Sequence, residues 1–415
     1  MNVDGWRPVL EGVEAERAAD IVAQIAVALA SDAPDGAARD EAALTDGCPG
    51  RALFFAYLGN TSPDSAHAAT ARRLLDAAVD NAASVSGSQA LFGGITGLAW
   101  TLQHLAVLAQ PAHVASLVGI EASMHGALSA APTRSPVELM SGLVGLGVFL
   151  LERGASADAR ATLERIVLWL DASAEVSAHG LSWRCRPQEL HSTSRERYPL
   201  GCHYPGVAHG TAGVVGLLAS LLARGVAPDA TRRLLRGAVE WLVAHELPGE
   251  MALFPYQVDA ESVASGSRSA WCTGGPGIAL MLWRAGRAAN NAEWQSRAIT
   301  LARNATMRPL EEMGVRDACL CHGTAGLGLL YAHLYNETED AFFRDESRRW
   351  FLRTFEEQRP GEGVAGYSAV NAPMNRRENA PGLLFGASGI GLALLAATTR
   401  VTPQWDRAML MSDPA

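Results

Sequence analysis

Two kinds of apolar pattern alternate along the chain. In the first, a Gly-x-x-Gly element opens a run whose Leu, Ile, Val and Phe cover most of a helix circumference, as in GTAGVVGLLASLLA and GASGIGLALLAATT. Such a run predicts a helix buried all round. In the second, as in SAHAATARRLLDAAVDNAA and DATRRLLRGAVEWLVAHEL, apolar residues recur at helical spacing with charges on the opposite face. These predict solvent-facing partners. The glycine elements begin at Gly47, Gly94, Gly142, Gly210, Gly274, Gly323 and Gly386, with spacings of 47 to 68 residues. Self-similarity on that scale predicts an array of helix pairs. The fold expected is all-α: an α/α toroid, a double-layered barrel of seven inner and seven outer helices. An open array would leave apolar flanks on its terminal copies.

Three stretches break the pattern. The segment AEVSAHGLSWRCRPQELHSTSRERYPLGCHYPG is rich in Ser, Arg, Pro and aromatics and has no helical period. It predicts an irregular insertion at about 174–206, made of loops and short strands. MALFPYQVDAESVASGSRSAWC and GEGVAGYSAVNAPMNRRENAPG are of the same kind, and long irregular loops on a rigid scaffold commonly carry function. The chain has 415 residues, yet the repeat continues from Gly47 to Gly386 without a long linker, so one domain spanning 1–415 is expected.

Hydrophobic residues make up 48% and charged residues 19%, a balance suited to a large core. The formal charge is -9, and every basic side chain other than histidine is an arginine. Nucleic acid is therefore not an expected partner. The start, MNVDGWRPVLEG, lacks a signal-peptide pattern and no apolar run reaches the roughly 20 residues of a membrane span. A cytoplasmic protein without direct membrane insertion is expected. Six cysteines in so long a chain suit free thiols or metal ligands better than a disulfide scaffold.

Aligning the copies on their first glycine brings out the chemistry. Cys272 and Cys321 each stand two residues before their glycine, and His209 and His322 one residue before. Arg268 stands six before Gly274 and Glu138 four before Gly142. In a closed repeat these six side chains share one end of the barrel. Cys272, Cys321 and His322 make a plausible zinc set, because three thiolate and imidazole ligands leave a fourth tetrahedral position open. The competing explanation is ordinary buried thiols beside a satisfied histidine. His209 has a plain alternative as a helix-start filler, and Arg268 as a structural ion-pair partner.

The strings WCTGGPGIAL, CHGTAGLGLL and AHGTAGVVGLL resemble those of the lanthionine synthetase C-like family, the cyclases of lantibiotic biosynthesis, and the resemblance covers essentially the whole chain. It implies a seven-fold α/α toroid, a zinc ion on Cys272, Cys321 and His322, and addition of a peptide cysteine thiol across the double bond of dehydroalanine or dehydrobutyrine. Zinc deprotonates a thiol while leaving it nucleophilic. Attack on the β-carbon then develops an enolate that needs a cation and a proton donor. Arg268 is the expected stabiliser and His209 the expected acid or base, with Glu138 orienting or charge-pairing a histidine. Two positions depart from the family pattern. Glu138 replaces the usual aspartate, and Thr273 a tyrosine for which His203 or Tyr204 is a possible substitute. Cys319 is a spare thiol, and Cys48, Cys185 and Cys202 are bystanders.

The resemblance further implies a stand-alone cyclase acting on a dehydrated lanthipeptide precursor, leader plus core, with a separate dehydratase and an exporter as partners at a membrane-associated complex. Three rivals share the same features. A zinc-dependent prenyl transferase would need a basic diphosphate clamp, where only scattered arginines stand. A glutathione-adding relative sits poorly with the lysine-free, Ala- and Arg-rich composition. A non-catalytic peptide-binding member would fit the changes at Glu138 and Thr273.

Overall fold

The computed structural model describes residues 5–31, 41–61, 65–108, 111–129, 136–154, 156–190, 192–247, 249, 253–259, 266–371 and 376–413. The described α-helices are, in chain order, α1 (Gly12–Ser31), α2 (Cys48–Thr61), α3 (Ser65–Asp80), α4 (Ile95–His104), α5 (Pro111–Ser129), α6 (Leu143–Glu152), α7 (Ala157–Ser173), α8 (Ser192–Arg197), α9 (Thr211–Ala223), α10 (Pro228–Ala244), α11 (Gly275–Ala288), α12 (Ala292–Ala305), α13 (Thr324–Thr338), α14 (Ala341–Glu356) and α15 (Ala387–Thr398). All seven glycine-led runs are helices, each beginning at the residue after its first glycine.

The reason lies in the hydrogen bonds of the first turn. A helix leaves its first amides without internal partners, and here a carbonyl seven residues upstream receives one of them. Cys48 N–H donates to Glu41 O at 2.8 Å, Ile95 to Ser88 at 2.9 Å, Leu143 to Pro136 at 3.0 Å, Thr211 to Tyr204 at 2.8 Å, Thr324 to Asp317 at 3.0 Å and Ala387 to Ala380 at 2.9 Å. In α11 the bond falls on Gly277, which donates to Ala270 at 3.2 Å. The loop thus folds back on its own helix, and glycine makes room for it. A Cβ on Gly210 would lie 1.9 Å from Tyr204 O, and one on Gly326 would lie 1.9 Å from Leu320 O.

The described chain forms two compact units, each discontinuous in sequence: residues 1–127 with 316–406, and 128–315 with 407–415. In the first, α4, α2, α15 and α13 pack side by side in that order, with α3 on α2, α14 on α13 and α1 on α15. The N-terminal segment is held there by Trp6 Nε1–H, which donates to Ala396 O at 2.7 Å. In the second, α6, α9 and α11 pack in that order, backed by α7, α10 and α12. Inner helices are buried almost throughout, as in α2 from Cys48 to Leu58. Outer α10 buries Leu234, Leu235, Ala238, Val239 and Leu242, one stripe of a 3.6-residue period.

The stretch expected to be irregular carries short regular pieces among its described residues. It contains hairpin β1 (Glu175–Ser177) with β2 (Gly180–Ser182), the pair β3 (Arg184–Cys185) with β4 (Cys202–His203), and α8. In the first unit β5 (Ala369–Asn371) pairs antiparallel with β6 (Arg376–Glu378). No helix among the described residues is long and apolar enough to cross a membrane.

The back-folded loop makes opposite predictions for two glycines. Gly326→Ala is expected to destabilise the protein by about 1–3 kcal/mol, since a backbone carbonyl must move. Gly119→Ala, in α5 with open space around it, should stabilise by about 0.5–1 kcal/mol. Urea denaturation midpoints check both signs.

Candidate functional site

The loops preceding the inner helices are joined to one another as well as to their helices. In the second unit Leu139 N–H donates to Ala208 O at 3.2 Å, and Ala208 N–H to Cys272 O at 3.0 Å. This lines up the loops that carry Glu138, His209 and Cys272. In the first unit Thr45 N–H donates to Phe92 O at 3.0 Å, Leu383 to Thr45 O at 2.7 Å and Cys321 to Leu384 O at 3.0 Å. Cys321 and His322 therefore occupy the same kind of position as Cys272, just ahead of a helix start.

His209 Nδ1 lies 2.8 Å from Glu138 Oε2. The same carboxylate accepts Met140 N–H at 3.0 Å, Ser141 N–H at 2.7 Å and the Ser141 hydroxyl at 2.5 Å. The extra methylene of glutamate is thus used: the carboxylate reaches its own loop and the imidazole together. Burial pushes the Glu138 carboxyl up, but the hydrogen bond and charge of His209, with Ser141, outweigh it and hold it below the usual range. Burial lowers His209, while its bond to Glu138, the charge there and that of Cys272 raise it above its ordinary value. With Nδ1 engaged by Glu138, the ring presents Nε2 at its other edge; the side chain is 58% exposed and Glu138 only 12%.

Arg268 is half-buried and, among the described residues, makes no ion pair. Its backbone carbonyl lies against Gly274, whose φ of +94° only glycine adopts readily. Among the described residues no hydrogen bond or ion pair joins Arg268 to Glu138 or His209. Cys272 is half-buried beside fully buried Trp271, whose Nε1–H donates to Met409 O at 2.9 Å. Thr273 backs onto Gly206, where a Cβ would come within 3.0 Å of the Thr273 Cα. Of its two suggested substitutes, His203 is buried near Trp241 with Nε2 3.4 Å from Glu175. Tyr204 lines a cavity beside His209.

In the first unit, Cys321 is buried and His322 half-buried, with the imidazole 5.7 Å from the Phe385 ring. Asp317, Cys319 and His322 offer donor atoms within 4.8 Å of one another, a group able to hold a metal ion. Sequence reasoning set Cys319 aside and missed Asp317. The Asp317 carboxylate is already engaged, accepting Cys319 N–H at 3.1 Å and Val370 N–H at 2.9 Å, so it shapes the loop that carries the thiols. Its position seven residues before Thr324, where the capping carbonyl stands, was the available signal.

The architecture defines a class: an array of paired helices whose N-terminal loops present thiols and imidazoles. The family model for lanthionine synthetase C-like proteins matches residues 39–410, and the chain belongs to that family. Over 148 residues it is 32% identical to nisin biosynthesis protein NisC of Lactococcus lactis subsp. lactis, 34% of this chain and 35% of that protein. The match to this curated relative thus spans about a third of its length. Nisin cyclase superposes with a TM-score of 0.76 at 22% identity, covering 96% of this chain and 97% of its own. The expected α/α fold class is the one the chain has.

The bystander thiols are held protonated. Burial, reinforced by the hydrogen bond to Glu41, pushes Cys48 up to about 12. Burial and the charge of Glu189 do the same for Cys185, also to about 12, and burial raises Cys202. Because only the thiolate is nucleophilic, iodoacetamide labelling of Cys48 and Cys185 should be slow at pH 8 and rise about tenfold per pH unit while the fold persists. Peptide mapping by mass spectrometry reads each site.

Proposed function

We propose that this chain is a zinc-dependent cyclase that forms lanthionine and methyllanthionine by adding precursor-peptide cysteine thiols to dehydroalanine and dehydrobutyrine. The observation that carries the reading is the His209–Glu138 pair, set on loops bonded through Ala208 to that of Cys272, in a chain of this family. The name of the relative, a nisin biosynthesis protein, supports a peptide substrate. Cys272, Cys321 and His322 would hold zinc. Two thiols and an imidazole are a donor set that zinc favours, and Cys321 and His322 already stand side by side on one hydrogen-bonded loop. Bound there, zinc would supply deprotonation of the incoming peptide thiol at neutral pH.

The remaining steps fall to side chains. As the sulfur–carbon bond forms at the β-carbon, the double-bond electrons pass toward the carbonyl oxygen. Arg268, without an ion-pair partner among the described residues, is placed in the proposal to meet that charge. His209 delivers a proton from Nε2 to the α-carbon, and Glu138 holds Nδ1 so that the ring faces the substrate and its protonated form is favoured. The product is an isomer of the substrate: one thiol is consumed and no mass is lost. The proposed setting is the cytoplasm, beside a dehydratase and an exporter.

The test combines metal analysis with ring closure on a dehydrated precursor. About one zinc per chain is expected, lost in Cys272→Ala, Cys321→Ala and His322→Ala but retained in Cys319→Ser. His209→Ala should keep its zinc and lose about 10²–10⁴-fold in turnover, read as disappearance of free thiol at constant mass. A folded, metal-free wild type that closes no ring would falsify the reading.

A further inference from the structure

The insertion and the loops before α6 and α9 enclose a cavity of about 520 Å³, within the usual size of ligand sites. His209 and Glu138 form one side of it. Val137, Leu190 and Val214 supply apolar surface, and Tyr204 meets Tyr256 edge to face with ring centroids 5.8 Å apart. The cavity is therefore continuous with the imidazole that acts on substrate.

Its electrical character is decisive. Each charged side chain in the wall has a counter-charge. Arg184 donates from Nε and Nη2 to the two carboxylate oxygens of Glu175, both at 2.8 Å. Glu189 accepts from Arg186 N–H at 2.7 Å and from its Nε at 2.8 Å. Glu138 has His209. Trp183 Nε1–H is also committed, to Leu170 O at 2.8 Å. A charged side chain entering here would lose hydration and find each charged group of the wall already paired, whereas an apolar one would gain from burial against the aromatic and aliphatic parts of the wall.

We propose that this cavity is a specificity subsite that receives an uncharged, apolar side chain of the peptide substrate, next to the residue on which His209 acts. The assignment rests on the cyclase reading for its substrate and adds what that substrate must carry. Ser194, half-buried on α8, and Tyr256, 43% exposed, shape the cavity without belonging to the core, so both are suitable for substitution.

Two peptide series test it, differing only in the residue beside the reacting position: Leu or Phe against Asp or Lys. One series contains dehydroalanine. The other has alanine instead and is fluorescently labelled, so that anisotropy reads binding without reaction. The wild type should bind the Leu peptide at least tenfold more tightly than the Asp peptide and show the same preference in kcat/KM. Ser194→Trp should raise KM for the Leu substrate about tenfold with kcat retained and erase the preference. Tyr256→Ala should weaken the Phe peptide most. Circular dichroism and zinc content establish that the variants are intact. Equal binding of Leu and Asp peptides, or a preference untouched in both folded variants, overturns the subsite. Selective binding without ring closure would overturn the cyclase reading and leave the subsite standing.

Discussion

The structure depends on a hydrogen bond that spans seven residues. Each inner helix begins with an amide that a helix cannot satisfy internally, and the loop ahead of it bends back to supply a carbonyl. A buried amide left without a partner costs about 1–3 kcal/mol, and the bond recurs at every inner helix. Its steric condition is glycine where the loop backbone presses on the first turn, as at Gly210 and Gly326. Because the span is constant, the residues just before the glycine occupy a repeated place. The chemistry at the helix starts is a by-product of solving that capping problem.

This explains how far the sequence could be read. A fixed span means that counting back from each glycine is a structural measurement, so Cys272 and Cys321, and His209 and His322, could be equated before any coordinates. The same count led to Glu138, although its carboxylate serving both His209 and its own loop was not deducible from an aspartate-to-glutamate change. The content of the 174–206 insertion was not legible, because hairpins of two or three residues leave no period to detect. Asp317 was missed for a related reason: its side chain holds neighbouring backbone amides, and nothing in a sequence distinguishes that from an exposed acid. Tyr256 lies in another aperiodic stretch, and its meeting with Tyr204 joins segments whose approach is set by β4 and the loop after α10.

The second unit divides labour between scaffold and insertion. The loops before α6, α9 and α11 fix the histidine and its carboxylate through main-chain bonds, which make few demands on the side chains those loops carry. The insertion, held by the Arg184–Glu175 and Arg186–Glu189 pairs, provides the walls facing them. Exposed or half-exposed pairs of this kind contribute little to stability; their larger effect is to remove net charge from a surface that faces the imidazole. The histidine–carboxylate geometry and the cavity wall beside it thus reside in different parts of the chain and can vary separately.

The raised thiols carry a consequence under the proposed reaction. A catalyst that shelters a dehydroamino acid holds a soft electrophile within reach of its own cysteines, and Cys185 lines the very cavity beside His209. At a pKa of about 12 only about one Cys185 in 10⁵ is a thiolate at pH 7, against a few per cent for an ordinary thiol. In the proposed reaction burial would act as insulation: a dehydroamino acid would meet a cysteine kept protonated, which would slow self-alkylation.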